Sequence, residues 1–125
     1  MLKIVTEKQK HIIEYMGAKF TIEPNTKEEF QEILKKNTYT HKIKTGPGQK
    51  DQYEERTDYV MVQMDNMDSQ VVAWEGVSDG LKCSSEAKRS LAGCKENEHI
   101  CIYIQEEIAK IGQAVEEKKK AKTKN

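Results

Sequence analysis

The sequence predicts an α+β fold that is mainly α-helical and carries a β-hairpin near its N-terminus. Residues 18–23, AKFTIE, alternate apolar and polar side chains, which is the period of a half-buried strand. From residue 60 onward, apolar residues recur at spacings of three and four, which is the period of one helix face. A Gly-Pro-Gly triplet at 46–48 separates the two patterns.

Length and composition predict one small domain over residues 1–115 and a charged, disordered tail over 116–125. The chain has 125 residues, of which 36% are hydrophobic and 34% charged, so its core has little apolar surface to spare. The net charge is zero, and no overall field draws the protein to nucleic acid. No apolar run reaches the roughly 18 residues of a membrane span, and residues 1–5 do not resemble a signal peptide. We therefore expect a cytoplasmic protein.

The predicted hairpin covers residues 10–23, with its turn at Met16-Gly17, because Gly17 can adopt the positive φ of a tight turn. The strand-like residues 2–5, LKIV, could add a third strand. A helix over 6–16 with Gly17 as its C-cap remains an alternative. Pro24-Asn25 closes the hairpin.

A short helix is predicted to follow, since Thr26 and Glu29 form a capping-box pattern. Its apolar face holds Phe30, Ile33 and Leu34, and it ends near Asn37. Residues 37–50 are polar and contain the Gly-Pro-Gly triplet, which predicts a flexible loop.

Residues 51–115 are predicted to be helical. The first helix begins between Asp51 and Thr57 and ends by Gly76, with Asp65 and Asn66 on its exposed side. The indole N–H of its last apolar residue, Trp74, needs a partner in the turn that follows. One face carries an apolar stripe, which forms either core or an adaptable partner-binding surface because methionine repacks easily: Val60, Met64, Met67, Val71 and Trp74.

Two further helices complete this part. Ser84 or Ser85 caps a short helix whose face holds Ala87, Leu91 and Cys94. The last helix begins near Asn97 and is expected to pair antiparallel with the helix before residue 76, bridged by the short one. Its stripe repeats the same spacing: Cys101, Ile104, Ile108, Ile111 and Val115.

Catalytic and metal-binding patterns are not evident, and no cofactor is expected. His11, His41 and His99 lie in no recognisable motif with a nucleophile and a carboxylate. Zinc sites usually draw on close Cys-x-x-Cys pairs, whereas Cys94 and Cys101 are seven residues apart. Gly46-Pro47-Gly48 lacks the Gly-Lys-Ser/Thr of a phosphate loop. We therefore expect a protein that is not an enzyme.

A family resemblance centres on residues 71–80, VVAWEGVSDG. The pattern is a Trp-Glu-Gly-Val turn followed by Asp-Gly, a Cys-Ser cap, then a lysine and a leucine in the next helix. With the preceding hairpin and capped helix, it resembles a group of small tailed-phage and prophage proteins of the tail assembly chaperone type. The matching positions are Trp74, Gly76, Val77, Asp79, Gly80, Cys83, Ser84, Lys88 and Leu91.

This resemblance implies a non-catalytic protein of the bacterial host cytoplasm. Such proteins are thought to bind the tape-measure or tail-tube protein during tail morphogenesis and to be absent from the finished particle. Two alternatives remain open: a minor structural component of the virion, and a small nucleic-acid-binding protein that uses the lysines of residues 116–125. Self-association is a further possibility.

Overall fold

A computed structural model describes residues 2, 4, 7–44 and 46–123 and has the predicted α+β, mainly helical fold. The elements in chain order are strands β1 (His11–Tyr15) and β2 (Ala18–Ile22), helix α1 (Lys27–Lys36), strands β3 (Thr38–Ile43) and β4 (Gln52–Thr57), helix α2 (Tyr59–Gln70), strand β5 (Val71–Glu75), and helices α3 (Ser85–Gly93) and α4 (Glu98–Thr123). Single 3₁₀ turns precede α3 and α4.

The first hairpin is confirmed. Strands β1 and β2 pair antiparallel, with Tyr15 opposite Ala18, so the turn consists of Met16 and Gly17 alone. Both turn residues have positive φ, 50° and 83°, as expected of a type I′ hairpin turn, whose twist matches that of the strands. The alternative helix over 6–16 is therefore wrong. The possible strand at 2–5 falls partly outside the described residues, and the third strand of this sheet is β5, in the order β1-β2-β5.

Helix α1 begins as predicted. The Thr26 hydroxyl accepts a hydrogen bond from the Glu29 N–H, and the Glu29 carboxylate accepts one from the Thr26 N–H. This reciprocal pair satisfies two of the donors that a helix start leaves open. The helix ends at the predicted place, where the Asn37 N–H donates to the carbonyls of its last turn.

The predicted flexible loop over 37–50 is wrong in its first half, because Thr38–Ile43 forms β3. This strand pairs antiparallel with β4 in a separate two-stranded sheet. The segment is polar, with His41 and Lys42 in its middle, and polarity alone does not distinguish a loop from an exposed hairpin. A hairpin that is exposed on both faces has no apolar alternation to signal it.

Helix α2 begins later and ends earlier than predicted. Asp58 caps it by accepting a hydrogen bond from the Met61 N–H, so the stretch 52–57 before it is strand rather than helix. It ends at Gln70, and Val71–Glu75 continues directly as β5, paired with β2. The β-branched Val71 and Val72 favour strand geometry, and β2 offers an edge with which they can pair.

Helix α3 is capped by Ser84 and α4 begins at Glu98, both close to the predicted positions. Two other expectations are wrong. Helix α2 packs chiefly against α3, while α4 lies along β1, so α2 and α4 do not form the predicted simple antiparallel pair. Helix α4 also continues through residue 116 to Thr123, where a disordered tail was expected; residues 124–125 lie outside the described part.

The core lies between one face of the three-stranded sheet and the helices. Its members come from both ends of the chain: Ile13, Ala18, Phe20, Ile22, Met67, Val71, Leu91, Cys101 and Ile104. The other sheet face is open, with Ile12 71% exposed. Among the described residues, no helix combines the length and apolar character needed to cross a membrane.

Candidate functional site

Residues 74–81 form a sharp turn around Trp74, which we call the tryptophan corner. The indole N–H donates a 2.7 Å hydrogen bond to the Leu81 carbonyl, so the expected partner in the turn is present. The half-buried ring packs edge-on against Phe20, with centroids 6.3 Å apart. Trp74 therefore ties the end of β5 to the connection that leads into α3.

Three residues of this corner have positive φ. These are Gly76 at 71°, Asp79 at 46° and Gly80 at 75°. A β-carbon at Gly76 would lie 2.9 Å from the Gly17 carbonyl oxygen, whereas one at Gly80 would meet open space. The first glycine allows the corner to contact the β1–β2 turn, and the second only reverses the chain.

The remaining residues of the family resemblance cap or stabilise helix ends, or belong to the core. Ser84 caps α3 by accepting a hydrogen bond from the Ala87 N–H. The Lys88 ammonium donates to the carbonyls of Asp68 and Val71, at 2.6 and 2.9 Å, where α2 runs out of hydrogen-bond donors. Leu91 is buried, and Val77 and Cys83 are partly buried against the core. The residues that carry the family resemblance thus have a structural explanation at nearly every position.

The predicted apolar stripe is divided between two elements. Met67 and Val71 are fully buried, and Met64 fills the space that a β-carbon at Gly93 would need. Val60, in contrast, is 60% exposed on the first turn of α2. Because the helix ends at Gln70, Trp74 belongs to the sheet, and these five residues do not form one continuous face.

A charged cluster between α2 and α3 was missed, since Asp65 was expected on the exposed side. Arg89 bridges two aspartates, donating to the Asp65 carboxylate at 2.6 Å and to Asp68 at 3.1 Å. Asn37 donates to the other Asp65 oxygen at 2.8 Å. Asp65 and Asp68, three residues apart on one helix, could have indicated a shared cation.

Each aspartate in this cluster is stabilised in its charged form. Burial by itself would raise the pKa of Asp65, but hydrogen bonds from Asn37 and Arg89 outweigh it, so the pKa lies below its ordinary value. Burial likewise opposes ionisation of Asp68, whose pKa is nonetheless lowered by Ser85 and Lys88. Because these partners satisfy both carboxylates, the cluster links α1, α2 and α3 and has a structural role.

An open recess lies beside the second half of α4. It has a volume of about 1600 Å³ and is walled by α4, by residues 7–9 and His11 and by residues 24–27. Its apolar floor comes from Ile108, Ile111 and Val115, the last three members of the predicted stripe. Ile108 and Ile111 are half-buried, whereas Val115 is 48% exposed. We call this recess the α4 groove.

The cysteines and histidines do not assemble into a centre within the part of the chain that the structure describes. Cys101 is buried, Cys83 half-buried and Cys94 exposed, and none is in a disulfide. His99 shares a 2.8 Å hydrogen bond with the Tyr15 hydroxyl, and the Tyr15 ring stacks on Tyr103. No cluster of three His, Cys, Asp or Glu side chains suited to a metal ion occurs among the described residues.

No protein-family model, curated protein or solved structure matches this chain. The α4 groove is therefore the candidate functional site on its geometry alone: it is large and open, with an apolar floor on a regular helix and a polar, charged border.

Proposed function

We propose that this protein is a non-catalytic binding protein of phage or prophage tail morphogenesis, which holds the tape-measure or tail-tube protein in the α4 groove. The observation that carries the proposal is the continuation of the α4 apolar stripe beyond the core. Cys101 and Ile104 are fully buried, yet the same face remains open at Val115.

The groove has the chemistry of a helix-binding surface. The stretch from Ile108 to Val115 covers about two helical turns, or roughly 10 Å of apolar face. Charged side chains of both signs border it, including Glu7, Lys27 and Glu117. An amphipathic helix would place its apolar stripe on Ile111 and Val115 and leave its polar flanks at this border.

The resemblance at residues 71–91 supports the choice of tail proteins as partners, and it implies action in the bacterial cytoplasm before the particle is complete. The groove and the tryptophan corner have separate tasks in this proposal. The corner stabilises the fold, and the groove makes the contact.

The test is co-purification after co-expression with the tape-measure and tail-tube proteins of the same genome. Val115→Glu places a charge on the groove floor and is expected to reduce partner recovery at least about tenfold, the effect of 1.4 kcal/mol in binding. The matched control is Ile102→Glu, which adds the same charge to an equally exposed position of α4 outside the groove lining.

Recovery of neither tail protein with the unchanged chain would contradict the proposal, as would equal losses in the two variants. Purified particles separate this function from that of a virion component. A chaperone is absent from them, whereas a structural component is retained.

A further inference from the structure

The hairpin formed by β3 and β4 stands apart from the core. Its six residue pairs run from Thr38–Thr57 to Ile43–Gln52 without a bulge. None of its side chains is buried, and neither outer edge is paired within the described part of the chain. A two-stranded hairpin of this kind is marginal in water and presents two rows of open backbone hydrogen-bonding groups.

The base of the hairpin is firmly attached. The Asp58 N–H donates to the Asn37 carbonyl at 2.9 Å, and the hydroxyls of Thr38 and Thr57 are 2.9 Å apart. The hairpin therefore projects from a closed base between α1 and α2, and its two ends lie side by side.

The two strands have opposite charge. The β3 side carries Lys42 and Lys44 together with His41, whereas the β4 side carries Asp51, Glu54 and Glu55 against Lys50 and Arg56, which leaves it a net negative charge. Within one chain, Lys42 meets Asp51 at 3.3 Å and His41 lies opposite Glu54. Strand side chains point to the two faces of a sheet and not to its edges, so the same charges are available to a strand added at either edge.

We propose that this hairpin is a self-association arm, in which β4 of one copy pairs antiparallel with β3 of a second copy. The intermolecular register repeats the internal one, so His41 of each copy again lies opposite a Glu54 and Thr40 opposite a Glu55. Pairing of β4 with β4 would place Glu54 and Glu55 of one copy beside those of the other, and pairing of β3 with β3 would join two strands of net positive charge, so both are disfavoured relative to β3 with β4.

The arrangement is heterologous, because the two strands that meet are different. Each copy then keeps one free β3 edge or β4 edge for the next, and the assembly is a closed ring or an open chain. The arm is separate from the α4 groove, so its failure and the failure of the groove proposal are observed in different variants.

The first test is molar mass in solution by sedimentation equilibrium over a range of concentrations. The full chain is expected to exceed its monomer mass of 14.4 kDa, with a mass that rises with concentration. Replacing residues 38–57 with two glycines is expected to give the mass of a single chain and to leave the helical circular dichroism melt in place. The control Val115→Glu is expected to associate like the unchanged chain. A full chain that stays monomeric at every concentration would overturn the proposal.

The second test does not depend on the shortened chain. In a Cys94→Ser background, Thr40→Cys and Glu55→Cys are made in separate chains and mixed with oxidised glutathione. Opposed strand residues lie within disulfide reach, so the mixture is expected to form cross-linked dimers of one chain of each kind. Each variant alone is expected to give at least tenfold less dimer. Equal cross-linking of each variant alone would overturn the heterologous pairing.

Discussion

At the scale of single residues, Gly76 and Gly80 show that two glycines with similar backbone angles can differ in how much stability is lost when a side chain is added. Their φ values, 71° and 75°, are both in the left-handed region that disfavours a β-carbon. Only Gly76 also abuts another backbone segment, the Gly17 carbonyl of the β1–β2 turn.

Gly76→Ala is therefore expected to lower the free energy of unfolding by about 2–3 kcal/mol, from a left-handed alanine together with the displaced turn. Gly80→Ala has the backbone penalty alone, about 1 kcal/mol. Urea unfolding of both variants measures the difference. Equal losses in the free energy of unfolding of the two variants would mean that the contact with Gly17 does not contribute to stability.

Asp65 makes a second prediction at this scale, for stability against pH. Its pKa is lowered in the folded protein from an ordinary value of 3.8, so its contribution is complete above that value and is lost as the pH falls through the lowered pKa. Asp65→Asn keeps the shape of the side chain but removes the charge that Arg89 binds.

The variant is expected to unfold more easily than the unchanged chain at pH 6, by about 3 kcal/mol for a broken buried ion pair. The gap should begin to narrow as the pH falls below 3.8 and should close only below the lowered pKa of the folded protein, where the native aspartate is also protonated. Thermal melts between pH 2 and 6 measure this, and a gap that does not change with pH would contradict it.

Local hydrogen-bonding requirements were the most predictable features at this scale. Thr26, Ser84 and the Trp74 indole all found the kinds of partner that the sequence indicates, because a capping hydroxyl or a half-buried N–H has few ways to be satisfied. The partners of Asp65 were not predictable, since they come from α1 and α3 and depend on how the helices pack.

At the scale of elements, α4 consists of two unequal halves. Its 26 residues extend for about 39 Å, longer than the core that it covers. Tyr103 donates to the Glu14 carbonyl and anchors the first half to β1. The second half forms a wall of the α4 groove.

This asymmetry predicts unequal effects of equivalent truncations in α4. Ile104→Ala removes a fully buried side chain and should cost about 3–4 kcal/mol. Val115→Ala alters a half-exposed position on the same face and should cost less than about 0.5 kcal/mol. Chemical denaturation of the pair measures the contrast. A large loss at Val115 would mean that the groove floor belongs to the core.

Periodicity predicted the helices better than their ends. The spacing from Val60 to Trp74 fits one helix, yet Val71–Glu75 forms a strand because β2 offers a pairing edge and Lys88 caps the helix that ends before it. Neither the β2 edge nor the Lys88 contact can be read from the residues next to the helix end, because both are distant in the sequence. Strands β3 and β4 were missed for another reason: with no face to bury, they show no alternation.

At the scale of the whole molecule, the core joins the two ends of the sequence. Phe20 and Ile22 come from the segment before the Gly-Pro-Gly connection, while Met67, Val71 and Ile104 come from the segment after it. The connection itself contributes nothing to the core, since residues 46–50 are exposed.

Cleavage in this connection should therefore leave the fold intact. Trypsin is expected to cut after Lys44 or Lys50, and the two fragments should separate on a denaturing gel but elute together from a size-exclusion column under native conditions. The Gly46–Gly48 turn provides an accessible site, and the shared core holds the pieces. Immediate dissociation of the fragments would contradict this account of the core.

The candidate functional surface was only partly predictable at this scale. Ile108, Ile111 and Val115 were recognised as one apolar face, but the expected partner for that face was another helix of the same chain. The groove arises because α4 extends past β1, and helix overhang depends on where the sheet ends. The sequence pattern alone does not contain that information.

The tryptophan corner also makes this protein its own optical probe. Trp74 is the sole tryptophan, half-buried, hydrogen-bonded to Leu81 and packed edge-on against Phe20. Its fluorescence therefore comes from one place, where the sheet meets the segment leading to α3. Emission should shift to longer wavelength as the corner opens to water, so unfolding of every variant described above can be followed without an added dye.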